Sequence, residues 1–458
     1  METLGQTTST CPACRSLVPA KIITDGRDVF FDKFCAAHGP SRALVRGSVQ
    51  QYLEAQRCVK PAWRPREFSG NTQAACPTGC GMCARHEQHL CLPIVEITSR
   101  CDLACPICLV DAGRAWDMTL ADYKRLLDAL IRAERQVDVL NLSGGEPLLH
   151  PELLAFVDEA LSRRDVVRVS ISTNGLRLPG NPGLLRELRA RNVVVSLQFD
   201  GFSERAYETL RGRPLLEEKR RILDALADAG VSTSLTMTAA AGVNDDQFGG
   251  VLEYLFAHEH VVSLMIQPLA FAGRGARLAG RVRRLTIPDV IAALGAAGHR
   301  AVCASDFLPL PCSHPLCFSL AFYLMLEGGG AMSVSRLTQA SILMDAVANR
   351  TIFGLDAAEH ERLKELVYDL WSGPAASAPD SAAVLATLRT IVRDFGRGCF
   401  EPRTAFVRSE RRVKSIFIHA FQDAETFDLA RARRCCNAYP QPDGRLIPAC
   451  VRNVGPHT

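Results

Sequence analysis

The densest chemistry in this chain lies in CDLACPIC at 101–108, where Cys101, Cys105 and Cys108 stand in a C-x3-C-x2-C spacing. Three thiolates can hold three irons of a [4Fe-4S] cluster. The fourth iron is then open to a chelating substrate, whereas structural clusters usually take four protein ligands. The same spacing recurs in CPTGCGMC at 76–83, so spacing alone does not choose between the two. Context does. Cys101 follows a good strand pattern, IVEITS at 94–99, whereas Cys76 follows a polar linker and has a further cysteine, Cys91, beyond Cys83. Cys76, Cys80, Cys83 and Cys91 therefore read as a closed, fully liganded cluster. Cys101, Cys105 and Cys108 read as the open one.

More polar signatures fall downstream at strand ends. Gly144, Gly145 and Glu146, followed by Pro147, end the second strand. The glycines let backbone approach a ligand closely, and a carboxylate beside them can accept from an ammonium group. Ser172 and Asn174 end the third strand and could contact a ribose or a carboxylate, although Asn-Gly is also an ordinary turn. Gln198 and Asp200 end the fourth strand and Gln267 the sixth; Asp200-Gly201 equally reads as a loop start.

The elements that position these groups alternate. Strands are expected at 94–99, 137–143, 167–172, 193–199, 231–237 and 261–267, and helices at 118–133, 151–162, 182–190, 216–229 and 247–258. Thr119 and Asp122 have the spacing of a variant capping box. The strand cores are nearly continuous in apolar and β-branched residues, as parallel strands covered by helices should be. A doubly wound sheet fits that rhythm too. Polar signatures at successive C-terminal strand ends favour a barrel rim.

Before this core, residues 1–60 read as a small metal-stapled module, with CPAC at 11–14 and FCAAHG at 34–39 as knuckles; 61–91 carry a linker and the first Cys-rich segment. The core spans 92–270. Residues 271–458 carry helical stretches at 344–371 and 381–395, a linker between them and a Cys-bearing tail.

Composition sets bounds. The chain has 458 residues, 47% hydrophobic and 22% charged, which reads as globular. A formal net charge of +4, with scattered arginines, gives no case for nucleic acid. Eighteen cysteines, clustered in sequence, suit metal rather than disulfides in a cytosolic chain. The first residues lack both the basic and the apolar regions of a secretory signal. Leu316–Leu326 is about half the roughly 20 residues of a membrane span. It reads as a buried helix, or as the lining of a greasy substrate channel.

Taken together, CxxxCxxC, GGEP and STNG resemble the radical S-adenosylmethionine (SAM) superfamily over roughly residues 92–270. The usual core of that superfamily is a partial (β/α)6 barrel, so the expected class is α/β. CPAC, FCAAHG, PCSHPLC at 311–317 and the long tail at 414–453 further resemble one subgroup. It includes the archaeal tetraether lipid synthase and related pterin methyltransferases. The resemblance implies a rubredoxin-like N-terminal site for one iron or zinc on Cys11, Cys14 and Cys35, with Cys58 or His38 as fourth ligand. It also implies three [4Fe-4S] clusters: the SAM cluster, one on Cys76, Cys80, Cys83 and Cys91, and one in a C-terminal auxiliary iron-sulfur region. The last draws on Cys303, Cys312, Cys317, Cys399, Cys435, Cys436 and Cys450, of which Cys312, Cys317, Cys436 and Cys450 are favoured. Gly144, Gly145, Glu146, Ser172, Asn174, Gln198, Asp200 and Gln267 would meet SAM. The implied activity is reductive SAM cleavage to a 5′-deoxyadenosyl radical. That radical would abstract hydrogen from an alkyl chain of a lipid and lead to a carbon-carbon bond; the alternative is methyl transfer to a pterin or similar heterocycle. Expected partners are the lipid and an electron donor such as ferredoxin or flavodoxin. The expected protein is a cytoplasmic monomer, with peripheral contact at the inner membrane face.

Overall fold

The computed structural model describes residues 1–70, 76–77, 79–109, 115–134, 136–350, 381–396 and 410–454. At the N-terminus, strands β1 (Glu2–Thr10), β2 (Leu17–Thr24), β3 (Val29–Cys35) and β4 (Gly39–Arg46) pair antiparallel in chain order. Their turns are tight. Arg15 and Gly39 take positive φ values of 58° and 74°, and Asp25 Oδ1 accepts from the backbone N–H of Arg27 and Asp28. The helix Val49–Arg57 follows, capped where Ser48 Oγ accepts from Gln51 N.

Next come six parallel strands in the expected order: β5 (Leu92–Thr98), β6 (Val137–Gly144), β7 (Val166–Thr173), β8 (Val194–Gln198), β9 (Thr233–Ala239) and β10 (Val261–Pro268). Helices Leu120–Ala133, Leu153–Ser162, Pro182–Ala190, Leu216–Ala229 and Phe248–Ala257 connect them. Each buries one stripe. In the first, Leu126, Leu127 and Leu130 face the core, and Thr119 Oγ1 accepts from Asp122 N at 3.1 Å. A short helix, Glu204–Arg211, was not among the expected elements.

The sheet continues beyond this core. β11 (Leu308–Pro309), β12 (Phe318–Met325), β13 (Ala331–Ser333) and β14 (Val413–His419) extend one edge, with β14 parallel to β10 and antiparallel to β12. At the other edge β15 (Asn437–Pro440) runs parallel to β5 and pairs with β16 (Leu446–Pro448). The Cys-bearing tail is therefore woven into both edges of the core sheet.

Leu316–Leu326, read as a buried helix, forms β12 instead. A short apolar run fits either element, and here β14 supplies a ladder along its whole length. The helix expected at 344–371 is Ala340–Val347, and residues 351–371 lie outside the described residues. The stretch expected at 381–395 is the helix Ser381–Gly396.

Long-range polar contacts tie the parts together. Arg168 on β7 forms a buried bidentate ion pair with Glu410, which also accepts from Ser232 Oγ at 2.6 Å. The N-terminal sheet docks through Thr7 Oγ1 on Asp428 (2.6 Å) and through Lys33 Nζ on the Glu425 carbonyl (2.6 Å). Among the described residues no helix is long and apolar enough to cross a membrane.

Candidate active site and metal centres

The loop carrying Cys101, Cys105 and Cys108 leaves the end of β5 and is gripped by three neighbouring segments. The first is the Gly-Gly pair after β6. Gly145 N donates to Thr98 O at 2.8 Å and Glu146 N to Arg100 O at 2.7 Å. A side chain is excluded at both glycines: a Cβ on Gly144 would lie 2.1 Å from Thr98 O, and one on Gly145 2.2 Å from Arg100 O. The second is the turn at Gly273, whose Cβ would lie 2.4 Å from Cys108 O, while Arg274 N donates to that same carbonyl at 2.9 Å. The third is the end of helix Glu204–Arg211, where Gly212 packs on Pro106.

The polar residues expected to meet SAM divide into two kinds. Glu146 is buried, and its carboxylate accepts from Thr173 Oγ1 (2.6 Å), Leu148 N (3.0 Å) and Asn174 N (2.8 Å). Burial raises its pKa against the pull of these three donors. It joins the ends of β6 and β7. Asn174 reaches Asp102 in the cysteine loop, Nδ2 to Oδ1 at 2.7 Å. Gln198 and Asp200 belong to a buried network with Arg211 and Lys219, two residues that sequence reasoning missed. Arg211 grips Asp200 through two bonds of 2.7 and 2.8 Å. Lys219 Nζ donates to Asn174 O, Gln198 O and Gln198 Oε1 at 2.6, 2.7 and 2.9 Å. Burial holds the Lys219 ammonium down to about 7. Even so, three acceptors match the three protons of the charged form. Arg211 also lies within bonding reach of the Cys105 thiol.

Ser172 and Gln267 face a chamber of about 590 Å³. It touches Cys108 at one place and Cys91 and Cys436 at another. Serines at inward positions of the strands, among them Ser143, Ser170, Ser196, Ser234 and Ser263, line one wall. The local signal for these was a Ser on each of β6 to β10, with two on β7. A further part of the lining is apolar. It includes Phe318, Leu320, Phe322 and Leu324 of β12, with Leu310, Leu343 and Val347. The segment read as a possible greasy lining therefore does line a cavity, as a strand.

At the N-terminal sheet the two hairpin tips meet. The ligand atoms of Cys11, Cys14, Cys35 and His38 all lie within 4.8 Å of one another. His38 Nδ1 is 3.7 Å from Cys11 Sγ and 3.6 Å from Cys35 Sγ, and Cys14 Sγ is 3.9 Å from Cys35 Sγ. Metal-sulfur bonds of about 2.3 Å put tetrahedral ligands about 3.7 Å apart, so this Cys3His set fits one zinc-sized ion. The contact with His38 holds the Cys35 thiol down to about 6. Cys58 is not in the group. It closes the helix Val49–Arg57, and its thiol donates to Glu54 O. Of the two candidates for fourth ligand, the fold brings His38 to the thiols.

The remaining cysteines sort differently from their order in sequence. Cys80 lies with Cys76 and Cys83. Cys91 does not join that group; its thiol sits against Cys312 and Cys436, which push its pKa well up. The reason is β15: Cys91 N and Leu92 N both donate to Cys436 O, where the tail strand meets β5. Cys435 and Cys450 are in contact, and Cys317 lies near Cys450 and Cys436. Cys303 is exposed at the start of a short 3-10 turn. Cys399 lies outside the described residues.

Residues 95–255 match the radical SAM superfamily, and residues 3–47 match the HMPTM N-terminal zinc ribbon domain. The chain is 26% identical to 7,8-dihydro-6-hydroxymethylpterin dimethyltransferase of Methanocaldococcus jannaschii, over 98% of this chain and 93% of that protein. It is 31% identical to mycofactocin maturase MftC of Mycobacterium tuberculosis, over 39% of this chain and 45% of the maturase. Among solved structures, Streptococcus suis SuiB bound to precursor peptide SuiA aligns over 46% of each chain, with TM-score 0.38 and 10% identity.

Proposed function

We propose, from the premise that this chain is a radical SAM enzyme, that it transfers methyl groups to a pterin or a similar small heterocycle. The observation that carries this reading is the match to the Methanocaldococcus pterin dimethyltransferase, which runs through the zinc ribbon, the core and the tail alike. A [4Fe-4S] cluster on Cys101, Cys105 and Cys108, with SAM at its open iron, would supply a 5′-deoxyadenosyl radical after one-electron reduction by a donor such as ferredoxin or flavodoxin. The chain's own residues hold and shield that chemistry. Gly144 and Gly145 bring backbone against the cysteine loop, Glu146 fixes two strand ends, and Asn174 steadies Asp102. Ser172 and Gln267 present polar atoms to a substrate in the chamber, and the apolar wall excludes water from a reactive carbon radical. The Cys76, Cys80 and Cys83 group and the Cys91, Cys312 and Cys436 group, together with Cys317, Cys435 and Cys450, would hold two further clusters. The ribbon would hold one zinc or iron.

A second reading has its own support. The chamber wall formed by β12 suits an alkyl chain, for which each methylene buried is worth roughly 0.8 kcal/mol. Among the described lining residues the one carboxylate, Glu410, is already tied to Arg168 and Ser232. That leaves the amino edge of a pterin without an acidic partner there. In this reading the radical takes hydrogen from a lipid tail and a carbon-carbon bond follows.

One experiment separates the two. The anaerobically reconstituted, reduced protein is given SAM, a reduced hydroxymethylpterin and a one-carbon donor, with the label placed first on the SAM methyl and then on the other donor's carbon, and in parallel SAM with tail-deuterated phospholipid. Labelled methyl groups on the pterin support the leading reading. Deuterium in 5′-deoxyadenosine from the lipid, with an unmodified pterin, replaces it with the second.

A further inference from the structure

The side chain of Arg46, at the end of β4, is driven into the seam between the N-terminal ribbon and the core sheet. It is 4% exposed, and its Nε and Nη1 have no hydrogen-bond partner. A small cavity of about 30 Å³ lies beside it, lined by Arg46, Leu316, Ala420, Phe421 and Arg431 among others. Arg431, also 4% exposed, donates from Nε to Cys317 Sγ at 3.3 Å and from Nη2 to Ala420 O at 2.7 Å. Two buried guanidinium groups thus line one small cavity, Arg431 in contact with Cys317 and Arg46 within reach of its charge, and Cys450 lies near Arg431 as well.

The negative charge available from side chains is small. Asp428 lies in the field of Arg431, but it already accepts from Thr7 Oγ1 and Ala430 N. Around Arg46 the charged neighbours are Arg431, which opposes its charge, and the Cys317 and Tyr52 groups. Burial and Arg431 hold its pKa down to about 10. A cation buried without a counter-ion is strongly unfavourable, and an arginine cannot shed its proton to escape. An iron-sulfur cluster bound by thiolates is anionic, and it would supply the missing charge.

We propose that Arg46, lent by the N-terminal ribbon, is a charge-tuning residue for the iron-sulfur cluster that includes Cys317, and that this cluster is the counter-ion of the Arg46–Arg431 pair. This rests on the reading that Cys317 belongs to an auxiliary cluster. Positive charge beside a cluster favours its reduced, more negative state. The ribbon then does more than bind its own metal: it sets the potential of a centre across the interface. Loss of the ribbon's fold would withdraw Arg46 and lower that potential.

The test uses the full chain, reconstituted anaerobically, with Arg46→Met and Arg46→Lys beside wild type. Redox titration followed by electron paramagnetic resonance should show one auxiliary cluster becoming about tenfold harder to reduce in Arg46→Met, near 59 mV lower for one electron. Arg46→Lys should keep most of the wild-type value, and the SAM cluster should not move. Thermal unfolding gives a second readout. In metal-free protein Arg46→Met should melt higher than wild type, because an uncompensated buried charge is gone; in reconstituted protein the order should reverse. Unchanged midpoints with full iron content overturn the proposal, as does an Arg46→Met variant that melts lower in both forms, the mark of packing alone. Cys317→Ser and Cys450→Ser report on the underlying reading. If both keep all iron and every cluster signal, the auxiliary cluster and the proposal fall together.

Discussion

The backbone N–H of Cys91 donates to the carbonyl of Cys436 at 2.8 Å, and this bond seats the Cys91 thiol against Cys312 and Cys436. Residues 345 positions apart, counted from their numbers 91 and 436, are joined because β15 adds to the β5 edge of the sheet. Which thiols the fold brings together follows from that pairing.

Cys91→Ser should therefore behave like Cys312→Ser and Cys436→Ser, and unlike Cys80→Ser. Iron analysis with Mössbauer spectra should show the first three losing one and the same cluster, and doubles among them losing no more than the singles. Cys80→Ser should lose a different one. Matching losses in Cys91→Ser and Cys80→Ser would restore the arrangement read from sequence order.

Gly145→Ala should disable SAM cleavage without unfolding the protein. The added methyl would meet Arg100 O at 2.2 Å, so the cysteine loop must shift. A displacement near 1 Å at a reacting centre costs about 100-fold or more in rate. The measurement is 5′-deoxyadenosine per iron-replete protein, with circular dichroism as control. A rate within threefold of wild type would show that the loop tolerates the shift.

His38→Ala should abolish one equivalent of bound zinc or iron, whereas Cys58→Ala should leave that equivalent in place. His38 lies within 4.8 Å of all three thiols, and Cys58 is engaged with its own helix. His38→Cys should retain metal and shift it towards iron, since four thiolates suit iron better. Metal loss from Cys58→Ala alone would reverse this assignment.

Acid should weaken the fold over a defined window. Burial holds His419, stacked on Phe318 at 3.9 Å, down to about 3, and His260 down to about 4, against 6.5 for a free ring. Between pH 6.5 and those values the unfolded chain binds protons that the folded chain refuses, so stability falls as pH drops and is flat in this respect above 6.5. Melting temperatures from pH 7.5 to 4.5 should show the slope, and His260→Phe should flatten part of it. An unchanged slope in that variant would remove His260 from the account.

Six strands and five connecting helices were legible because their signals are local: β-branched runs of strand length, amphipathic stripes and a capping Thr119 each act within a dozen residues. The open cysteine motif was chosen the same way, by its strand and by the Gly-Gly pair one unit later. The Cys11, Cys14 and Cys35 knuckles were legible too, but His38 and Cys58 stood level until the two hairpin tips met. What local pattern could not carry was contact between distant segments. The run Leu316–Leu326 suits a helix or a strand, and only the ladder offered by β14 decided for a strand. That Glu146 also takes Thr173 and Asn174 of the next strand was not legible from its own segment. Arg211 and Lys219 drew no attention in the sequence, yet they turn inward on Asp200, Gln198 and the cysteine loop. Cys91 lies close to Cys83 in the chain and beside Cys436 in space, because a strand edge left with open hydrogen bonds is completed by whatever segment the tertiary fold brings to it.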